Sequence, residues 1–420
     1  MQWTLYAETH PSVIWIEDDI RTWGHGPVRL GCFCREHMRR FNEMYHLNLD
    51  AGTLSNMIHS PGKPSEIRKL WLDFLGKMSA EAMELMSRTV HAVSPETIVG
   101  LMSSGPDWHM MEGRDWPELY RIMSDSPVHA YAASRPPLGN YQESSLEGLH
   151  YTFNSTLLTR KAFGPNENIL EEGEIENFPY TNYSKSNVFM FLQNSLALGA
   201  GCHALTLNLF DHSGTPMMEN KAILECLRDR KPFLSGLKER CAGAFQEKGI
   251  GLFFNEKSLK QKVFGFTRCG DIWGGDTSIP VNFLQNLGFG VCYDENSPVM
   301  VLAGQTVRGA EDSQILKMLS KGVFLDSAAF LSLTEMGYGE YLGGKLKEHF
   351  PLSTTYAIGG EHFFSEITGG HKDLYFDTAI HTAKPEFCQS VLIRRKQYSA
   401  ERRAIFQCTD HFRFPASFGL

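Results

Sequence analysis

Short apolar runs and longer amphipathic stretches alternate along the first 240 residues of the chain. The apolar runs have the length and composition of buried strands, and they occupy residues 13–16, 97–104, 128–134, 169–179 and 202–210. Segments with apolar residues at helical spacing separate them, at 34–47, 65–92, 116–123, 147–163, 184–201 and 219–234. Strand–helix units in this succession predict a parallel sheet with helices packed outside it.

Such a series of units fits either an open doubly wound sheet or part of a (β/α)8 barrel. No G-x-G-x-x-G motif follows any of the strands, so the signature of a dinucleotide-binding sheet is missing. Acidic residues stand at the carboxyl ends of strands, where barrel enzymes keep their catalytic residues. The pattern therefore favours the barrel.

A second α/β pattern begins near residue 248 with the strand GIGLFF. It continues with a helix and a strand in 279–294, a strand in 298–305, a helix in 311–320 and KGVFLDSAAFLSL. Beyond about residue 350 the chain is rich in Thr, Phe, Tyr and Ile and has no helical period. We predict three domains, which are 1–240 (barrel), 247–345 (smaller α/β domain) and 346–420 (β-rich segment).

The composition excludes several classes of protein. The net charge is −8 and the pI about 6.1, and no Lys/Arg run is dense enough to follow a phosphate backbone, so we expect no nucleic-acid partner. No stretch of 18 apolar residues could span a membrane, and the first residues, MQWTLYAETHPS, lack the features of a signal peptide. The nine scattered cysteines are typical of reduced thiols, which predicts a cytoplasmic protein.

Three consecutive acids follow the first apolar run, in SVIWIEDDIR. Neighbouring carboxylates repel one another, so their accumulation at a strand end needs a reason. Because side chains alternate along a strand, Glu17 and Asp19 are expected on one face. Two explanations stay open: a functional cluster at the mouth of the sheet, or acids that cap a helix or pair with Arg21 and Arg29.

A second group of acids lies in ILEEGEIENFPY, where Glu172, Glu174 and Glu176 share one face of a regular strand. A solvated edge strand would give the same pattern. However, the aromatic loop NFPYTNY follows, and carboxylates beside aromatic rings are typical of sugar sites. Glycoside hydrolysis uses two carboxylates on opposite sides of the scissile bond, although paired acids also serve metal sites.

The segment GCFCREH offers three possible zinc ligands, Cys32, Cys34 and His37. A closed structural zinc site needs four ligands, and the sequence shows no fourth. Ordinary buried or solvent-facing thiols explain the same residues, so we regard zinc as the weaker interpretation and predict no cofactor.

The order of these motifs resembles the family 42 glycoside hydrolases of β-galactosidase type. In that family the fourth barrel strand ends in I-D-N-E, a C-x-C-x2-C loop follows, and E-x-x-P ends the seventh strand. The matching segments here are 16–19, 32–37 and 176–179. An A-x-G-A motif is matched at 197–200, and VMVLAG and KGVFLDS are similar to the family's second domain. The resemblance covers about residues 12–340.

The resemblance implies a fold and roles for individual residues. It implies a partial (β/α)8 TIM barrel that holds strands four to eight, a flavodoxin-like trimerisation domain related to glutamine amidotransferases, and the start of a β domain. Asp19 would be the acid/base and Glu176 the nucleophile in the hydrolysis of a galactoside-like oligosaccharide. The residues expected to bind the sugar or support the site are Asp18, Trp108, Tyr141, Glu174, Phe178, Tyr180 and Asp211. A homo-oligomer, trimer or dimer, is also expected.

The sequence departs from the family pattern in three places. Asp19 replaces a glutamate and is one methylene shorter, which could open the carboxyl pair beyond the roughly 5–5.5 Å of retaining enzymes and would allow an inverting mechanism, a different substrate or an inactive site. Only about 12 residues precede the matched fourth strand, so we expect the first three strands to be missing. Phe210, Asp211 and His212 stand where the family has a tryptophan-containing stretch.

These departures support a rival function, that of a catalytically inactive barrel serving carbohydrate binding or assembly. An amidotransferase activity of the second domain is a weaker alternative, because no Cys followed by His-x-Glu is found there.

Overall fold

The computed structural model describes residues 2–17, 20–22, 30–139, 146–164, 168–181, 184–242, 248–264, 281, 284–349, 360–365, 370–375, 391–394 and 404–407. The chain divides into two compact units. Unit 1 comprises residues 1–59 and 65–247, and unit 2 comprises residues 60–64 and 248–420. The domain boundaries that the sequence suggested remain a prediction.

Unit 1 alternates strands and helices. Its strands are β1 (Val13–Ile16), β2 (Ile98–Met102), β3 (Ala132–Arg135), β4 (Pro137–Gly139), β5 (Ile169–Glu176) and β6 (Ala204–Asn208). Its helices are α1 (Gln2–Ala7), α2 (Arg35–Tyr45), α3 (Ala51–His59), α4 (Glu66–Val93), α5 (Pro106–His109), α6 (Trp116–Met123), α7 (Leu146–Phe163), α8 (Asn187–Gly199) and α9 (Lys221–Cys241).

All strands of unit 1 pair in parallel, in the order in which they occur along the chain. β1 pairs with β2, β2 with β3, and β3 and β4 both pair with β5, which in turn pairs with β6. Because every strand runs in the same direction, all carboxyl ends lie at one edge of the sheet, and the loops that follow the strands meet there.

Alternation along the strands separates an apolar face from a polar face. One side chain in two enters a core shared with the helices, among them Ile14, Ile16, Val99, Leu101 and Ile175. Residues of α1, α4, α6, α7 and α8 complete these clusters, so the helices pack on one face of the sheet. The other face carries Trp15, Arg135, Glu172, Glu174, Glu176, Thr206 and Asn208, as their contacts with one another demonstrate.

Unit 2 contains a second parallel sheet. Its strands are β7 (Ile250–Leu252), β8 (Val291–Cys292), β9 (Val299–Leu302), β10 (Gly322–Asp326) and β15 (Ala404–Gln407), in the spatial order β8-β7-β9-β10-β15. Helices α10 (Asp312–Leu319) and α11 (Ser327–Glu335) pack on it. Two antiparallel pairs lie in the region predicted to be β-rich, β11 (Lys345–His349) with β14 (Val391–Arg394) and β12 (Gly360–Ser365) with β13 (Gly370–Tyr375).

The structure corrects several secondary-structure predictions. Helices α1 and α3 were not predicted. The strand predicted at 128–134 begins only at Ala132, and after Pro136 it continues as β4. Helix α9 was expected to end at 234 and instead continues through Pro232 to Cys241. In the described part of the chain, no helix is both long enough and apolar enough to cross a membrane.

Candidate functional site

The three glutamates of β5 lie on the polar face of the sheet, as the alternation predicted. The buried positions of β5 are Ile169, Glu171, Gly173 and Ile175, and the positions between them are partly exposed. Glu171 faces the helices and pairs with Arg160 at 2.8 Å. Glu172, by contrast, accepts a hydrogen bond from Thr206 Oγ1 at 2.9 Å.

Glu174 is neutralised by an arginine from the neighbouring strand. Arg135 Nη2 lies 2.9 Å from Glu174 Oε1, and both side chains are mostly buried. The same guanidinium lies over the Trp15 ring, 5.8 Å from its centroid. Trp15 in turn covers Gly100, where a Cβ atom would approach the indole to 2.6 Å. A strip of tryptophan, arginine and carboxylate therefore crosses the sheet below its carboxyl edge.

Glu176 is the last residue of β5 and stands at the carboxyl edge of the sheet. Asn208, its partner in the β5–β6 register, points an amide nitrogen at Glu176 Oε1 from 3.5 Å. The Lys185 ammonium donates to the backbone carbonyl of Glu176 and, at 2.6 Å, to Gln193 Oε1. The backbone at Glu176 is thus anchored by a cation, and its carboxylate faces an amide donor.

Aromatic side chains follow Glu176 directly. Phe178 is 41% exposed and meets Tyr180 edge to face, with ring centroids 5.6 Å apart. Tyr180 stacks on His212 at 4.1 Å with an interplanar angle of 9°. Because flat rings beside a carboxylate can stack on the apolar face of a sugar, this group offers a surface for a carbohydrate.

Asp211 has a different environment from the other predicted sugar-binding residues. It is buried, and its Oδ1 accepts hydrogen bonds from the backbone amides of Ser213 at 2.9 Å and Thr215 at 3.5 Å. Burial alone would raise the pKa of Asp211, but these hydrogen bonds outweigh it and hold the pKa below its usual range. One carboxylate oxygen of Asp211 therefore closes a turn in its own loop.

Trp108 lies in the loop region beyond β2, on helix α5, and is 37% exposed. Its neighbour Asp107 was missed by the sequence interpretation. Burial raises the pKa of Asp107 to about 6, and Asp107 Oδ1 has no hydrogen-bond partner among the described residues. The β2 loop thus adds a carboxyl that readily holds a proton at the same edge of the sheet.

Part of the predicted site falls outside the described residues. Asp18, Asp19 and Tyr141 belong to that part, so their roles remain predictions. Glu17 is exposed immediately after β1, and its carbonyl accepts a hydrogen bond from the Ile20 amide at 3.1 Å.

A buried charge cluster holds the backbone that follows the three acids. Glu112 Oε1 lies 2.9 Å from His109 Nδ1 and 2.6 Å from Arg114 Nη2, and all three side chains are fully buried. Glu112 Oε2 accepts from the Thr22 amide at 2.9 Å, and Arg114 donates to the Ile20 carbonyl at 3.0 Å. Burial would raise the pKa of Glu112, but Arg114, His109 and the Thr22 amide hold it at about 2.

The structure brings together the three candidate zinc ligands. Ligand atoms of Cys32, Cys34 and His37 all lie within 4.8 Å of one another, and no fourth His, Cys, Asp or Glu joins the group within the described ranges. Burial raises the pKa of Cys32, whereas a hydrogen bond from the His37 backbone amide lowers that of Cys34. The group could supply three of the four positions of a tetrahedral shell.

Several residues that contact the predicted site residues were not predicted from the sequence. Among them are Arg135, Asn208 and His212, which contact Glu174, Glu176 and Tyr180 respectively. Each depends on pairing or loop contacts between segments distant in sequence. For Asn208, the position at the end of the last predicted strand is the one signal that could have identified it.

Comparison with solved structures identifies similar folds. A β-galactosidase from Rahnella sp. R3 matches with a TM-score of 0.54 and 14% identity over 86% of this chain and 59% of the enzyme. The chain has a β-galactosidase-like α/β fold. The β-galactosidase of Bacillus circulans sp. alkalophilus has a TM-score of 0.49 at 12% identity, over 83% of this chain and 58% of that one. A catalytic mutant of Gan42B, a GH42 β-galactosidase from G. stearothermophilus, has 0.49 at 11%, over 87% and 58%.

The β-galactosidase-like fold agrees with the family 42 resemblance that the motifs suggested. No protein-family model matches the chain, and no curated protein is similar to it. The chain spans 59% of the length of the Rahnella enzyme.

Proposed function

We propose that this chain is a glycoside hydrolase that acts on O-glycosidic bonds of a galactoside-like or related oligosaccharide. The observation that carries the proposal is the position of Glu176. Its carboxylate stands at the carboxyl edge of a parallel sheet, opposite an amide donor and beside the Phe178–Tyr180–His212 aromatic group. Carboxylates at this edge serve as catalytic groups in barrel enzymes.

The proposed mechanism uses two carboxyl groups. Glu176 attacks the anomeric carbon and forms a glycosyl ester, while Asp19 gives its proton to the departing glycosidic oxygen. Water, deprotonated by Asp19, then cleaves the ester, releases the sugar and restores both carboxyl groups. Asp18 and Glu174 support the site, and Trp108, Tyr141, Phe178, Tyr180 and Asp211 contact the sugar. No cofactor takes part in these steps.

We propose the finer architecture on the same basis. Unit 1 corresponds to strands four to eight of a (β/α)8 barrel, because its strands follow one another in sequential order with helices on one face. Counted along the chain, the parallel sheet of unit 2 has the order 2-1-3-4-5, which is that of flavodoxin-like domains. A cytoplasmic homo-oligomer, with this second domain as the contact, is part of the proposal.

Hydrolysis of nitrophenyl glycosides tests the proposed function. The wild-type protein should release nitrophenol from a β-galactoside or a related substrate, and Glu176→Gln should lower kcat by more than about 10³-fold. Glu172→Gln is the matched control on the same strand. The Glu172 carboxylate accepts a hydrogen bond from Thr206, and Glu172 lies about 13 Å from Glu176 along the strand. This variant should therefore retain most of the activity.

Other outcomes of this assay would favour the rival function or contradict the role of Glu176. Sugar binding without turnover at any pH would support a carbohydrate-binding protein with an inactive site. Equal losses in the two variants would contradict the role of Glu176.

In a Glu176→Ala variant, added azide should restore turnover and form a glycosyl azide, because the small anion replaces the missing carboxylate.

A further inference from the structure

The amide of Asn208 faces the Glu176 carboxylate from the neighbouring strand. The two residues are direct partners in the parallel β5–β6 pair, and both side chains lie on the polar face. The distance between Asn208 Nδ2 and Glu176 Oε1 is 3.5 Å. A carboxylate can only accept hydrogen bonds, so it favours the amide orientation that presents the NH₂ group and disfavours the one that presents the oxygen.

His212 holds the other end of the same amide. Its Nε2 lies 3.2 Å from Asn208 Oδ1. Because Oδ1 can only accept, Nε2 must carry a hydrogen. Both the Nε2–H tautomer of the neutral ring and the imidazolium meet this requirement. The contact prevents the amide from turning its oxygen toward Glu176.

His212 is itself fixed by the aromatic loop. Its ring is stacked on Tyr180 at 4.1 Å, and its backbone amide donates to the Tyr180 carbonyl at 3.0 Å. Tyr180 has φ +60, and its amide donates to the Asn177 carbonyl at 2.7 Å. The imidazole thus has a defined position between the loop after β5 and the end of β6.

We propose that His212 is a positioning residue that orients the Asn208 amide so that it donates a hydrogen bond to the Glu176 carboxylate. This inference rests on the proposed function, because it gives the contact a role in holding the nucleophile. A purely structural role would instead rest on the Tyr180–His212 stack, which joins the two loops whatever the Asn208 amide does.

Two substitutions of His212 separate these roles. His212→Phe keeps a flat ring for the stack on Tyr180 and lacks the N–H donor. His212→Gln loses the stack and keeps an N–H donor of similar reach. Under the positioning role, His212→Phe should lower kcat about 10-fold with little change in KM, since one oriented hydrogen bond is lost. His212→Gln should retain several-fold more activity than His212→Phe. The reverse order would overturn the proposal.

The pH profile gives a readout that a loss of folding would not produce. Among the described residues, the charged or titratable groups near Glu176 are Glu174, which pairs with Arg135, the Lys185 ammonium and the His212 ring, and the proposed mechanism adds Asp19. Asn208→Asp places a like charge opposite Glu176, which raises its pKa. The acidic limb of kcat/KM should therefore move to higher pH in Asn208→Asp. An unchanged acidic limb would contradict the contact.

The contact can also be measured without any activity. In protein labelled with ¹⁵N at histidine and asparagine, we expect His212 as the Nε2–H tautomer at high pH and a shifted Asn208 amide resonance in both His212→Phe and Glu176→Gln. A neutral His212 ring in the Nδ1–H tautomer, or an Asn208 resonance that is unchanged in both variants, would overturn the inference. Absence of turnover in the wild type, by contrast, would refute the proposed function and leave this spectroscopic test decisive for the contact.

Discussion

At the scale of single residues, Glu112 is a carboxylate held ionised in a fully buried position. It faces two potential cations, His109 and Arg114, and holds the Thr22 amide in a fully buried position. Removing one member of such a cluster leaves the others without their counter-charge in a medium of low dielectric constant. The position of the backbone at 20–22, which directly follows the acids at 17–19, therefore depends on one ionised carboxyl group.

Glu112→Gln should lower the free energy of unfolding at pH 7 by about 3–5 kcal/mol, because His109 and Arg114 lose the carboxylate they face. The folded-state pKa of about 2 lies below the ordinary 4.5. This contribution to stability, about 3 kcal/mol from the pKa difference, is complete above about pH 4.5 and is lost as the pH falls toward 2. Urea unfolding of both proteins between pH 7 and 3 measures it.

A surface pair provides the control for Glu112. Glu118 and Arg121 are 2.7 Å apart with both side chains largely exposed, so Glu118→Gln should change stability by less than about 1 kcal/mol. A Glu112→Gln protein as stable as Glu118→Gln at pH 7, or a difference from the wild type that stays constant down to pH 3, would contradict the assignment.

At the scale of elements, helix α4 and the turn that carries Glu112 are in direct backbone contact. A Cβ atom on Gly76 would lie 2.3 Å from the Gly113 carbonyl oxygen. A Cβ on Gly113, which has φ +61, would lie 2.1 Å from the Leu72 carbonyl oxygen. The two glycines therefore permit the close approach that places the 110–114 turn beside α4.

Gly76→Ala should destabilise the protein by about 1–3 kcal/mol, because the backbone of the 110–114 turn would have to move away. Gly236→Ala, in helix α9, has no atom within 4 Å of the new methyl group and should stabilise the helix by about 0.5–1 kcal/mol. Chemical denaturation of the two variants gives opposite shifts in midpoint. Shifts of the same sign would mean that the close approach of α4 and the turn does not exist.

Helices could be predicted from the sequence where the spacing of apolar residues was strongly periodic. The prediction failed where tertiary packing determines whether a helix forms or where it ends. Helix α4 was predicted at 65–92 and observed at Glu66–Val93, because its apolar residues repeat at helical spacing over seven turns. Helix α1 has six residues and only Ala7 buried, so no periodic pattern could identify it. Pro232 removes only one hydrogen bond from α9, and the buried Leu234 lies beyond it, which explains why the helix continues.

The same distinction applies to the site. Alternation within β5 alone predicted that Glu172, Glu174 and Glu176 share a face, and the structure confirms it. The partners of these acids, Arg135 and Asn208, come from neighbouring strands, and their contacts depend on strand register. The register of two strands depends on how they pair in the folded sheet, so Arg135 and Asn208 could not be identified as partners from a single sequence.

At the scale of the whole molecule, the sequential order of strands in unit 1 gathers the candidate catalytic groups. Four parallel crossovers, from β1 to β2, β2 to β3, β4 to β5 and β5 to β6, bring the end of β5, the loop beyond β2 and the end of β6 to the same edge. A doubly wound order would reverse direction at a switch point, and that order is found only in unit 2. The arrangement places the described candidate site residues at one edge of unit 1, as the proposed function requires.

Trapping of a covalent intermediate tests the central claim most directly. A 2-deoxy-2-fluoro galactoside with a good leaving group should inactivate the protein, because the fluorine slows both formation and hydrolysis of the glycosyl ester, whereas the good leaving group speeds only its formation. We predict that peptide mapping by mass spectrometry finds the sugar on Glu176. A label on another carboxylate such as Glu174, or a protein that hydrolyses galactosides and never acquires a label, would contradict the account.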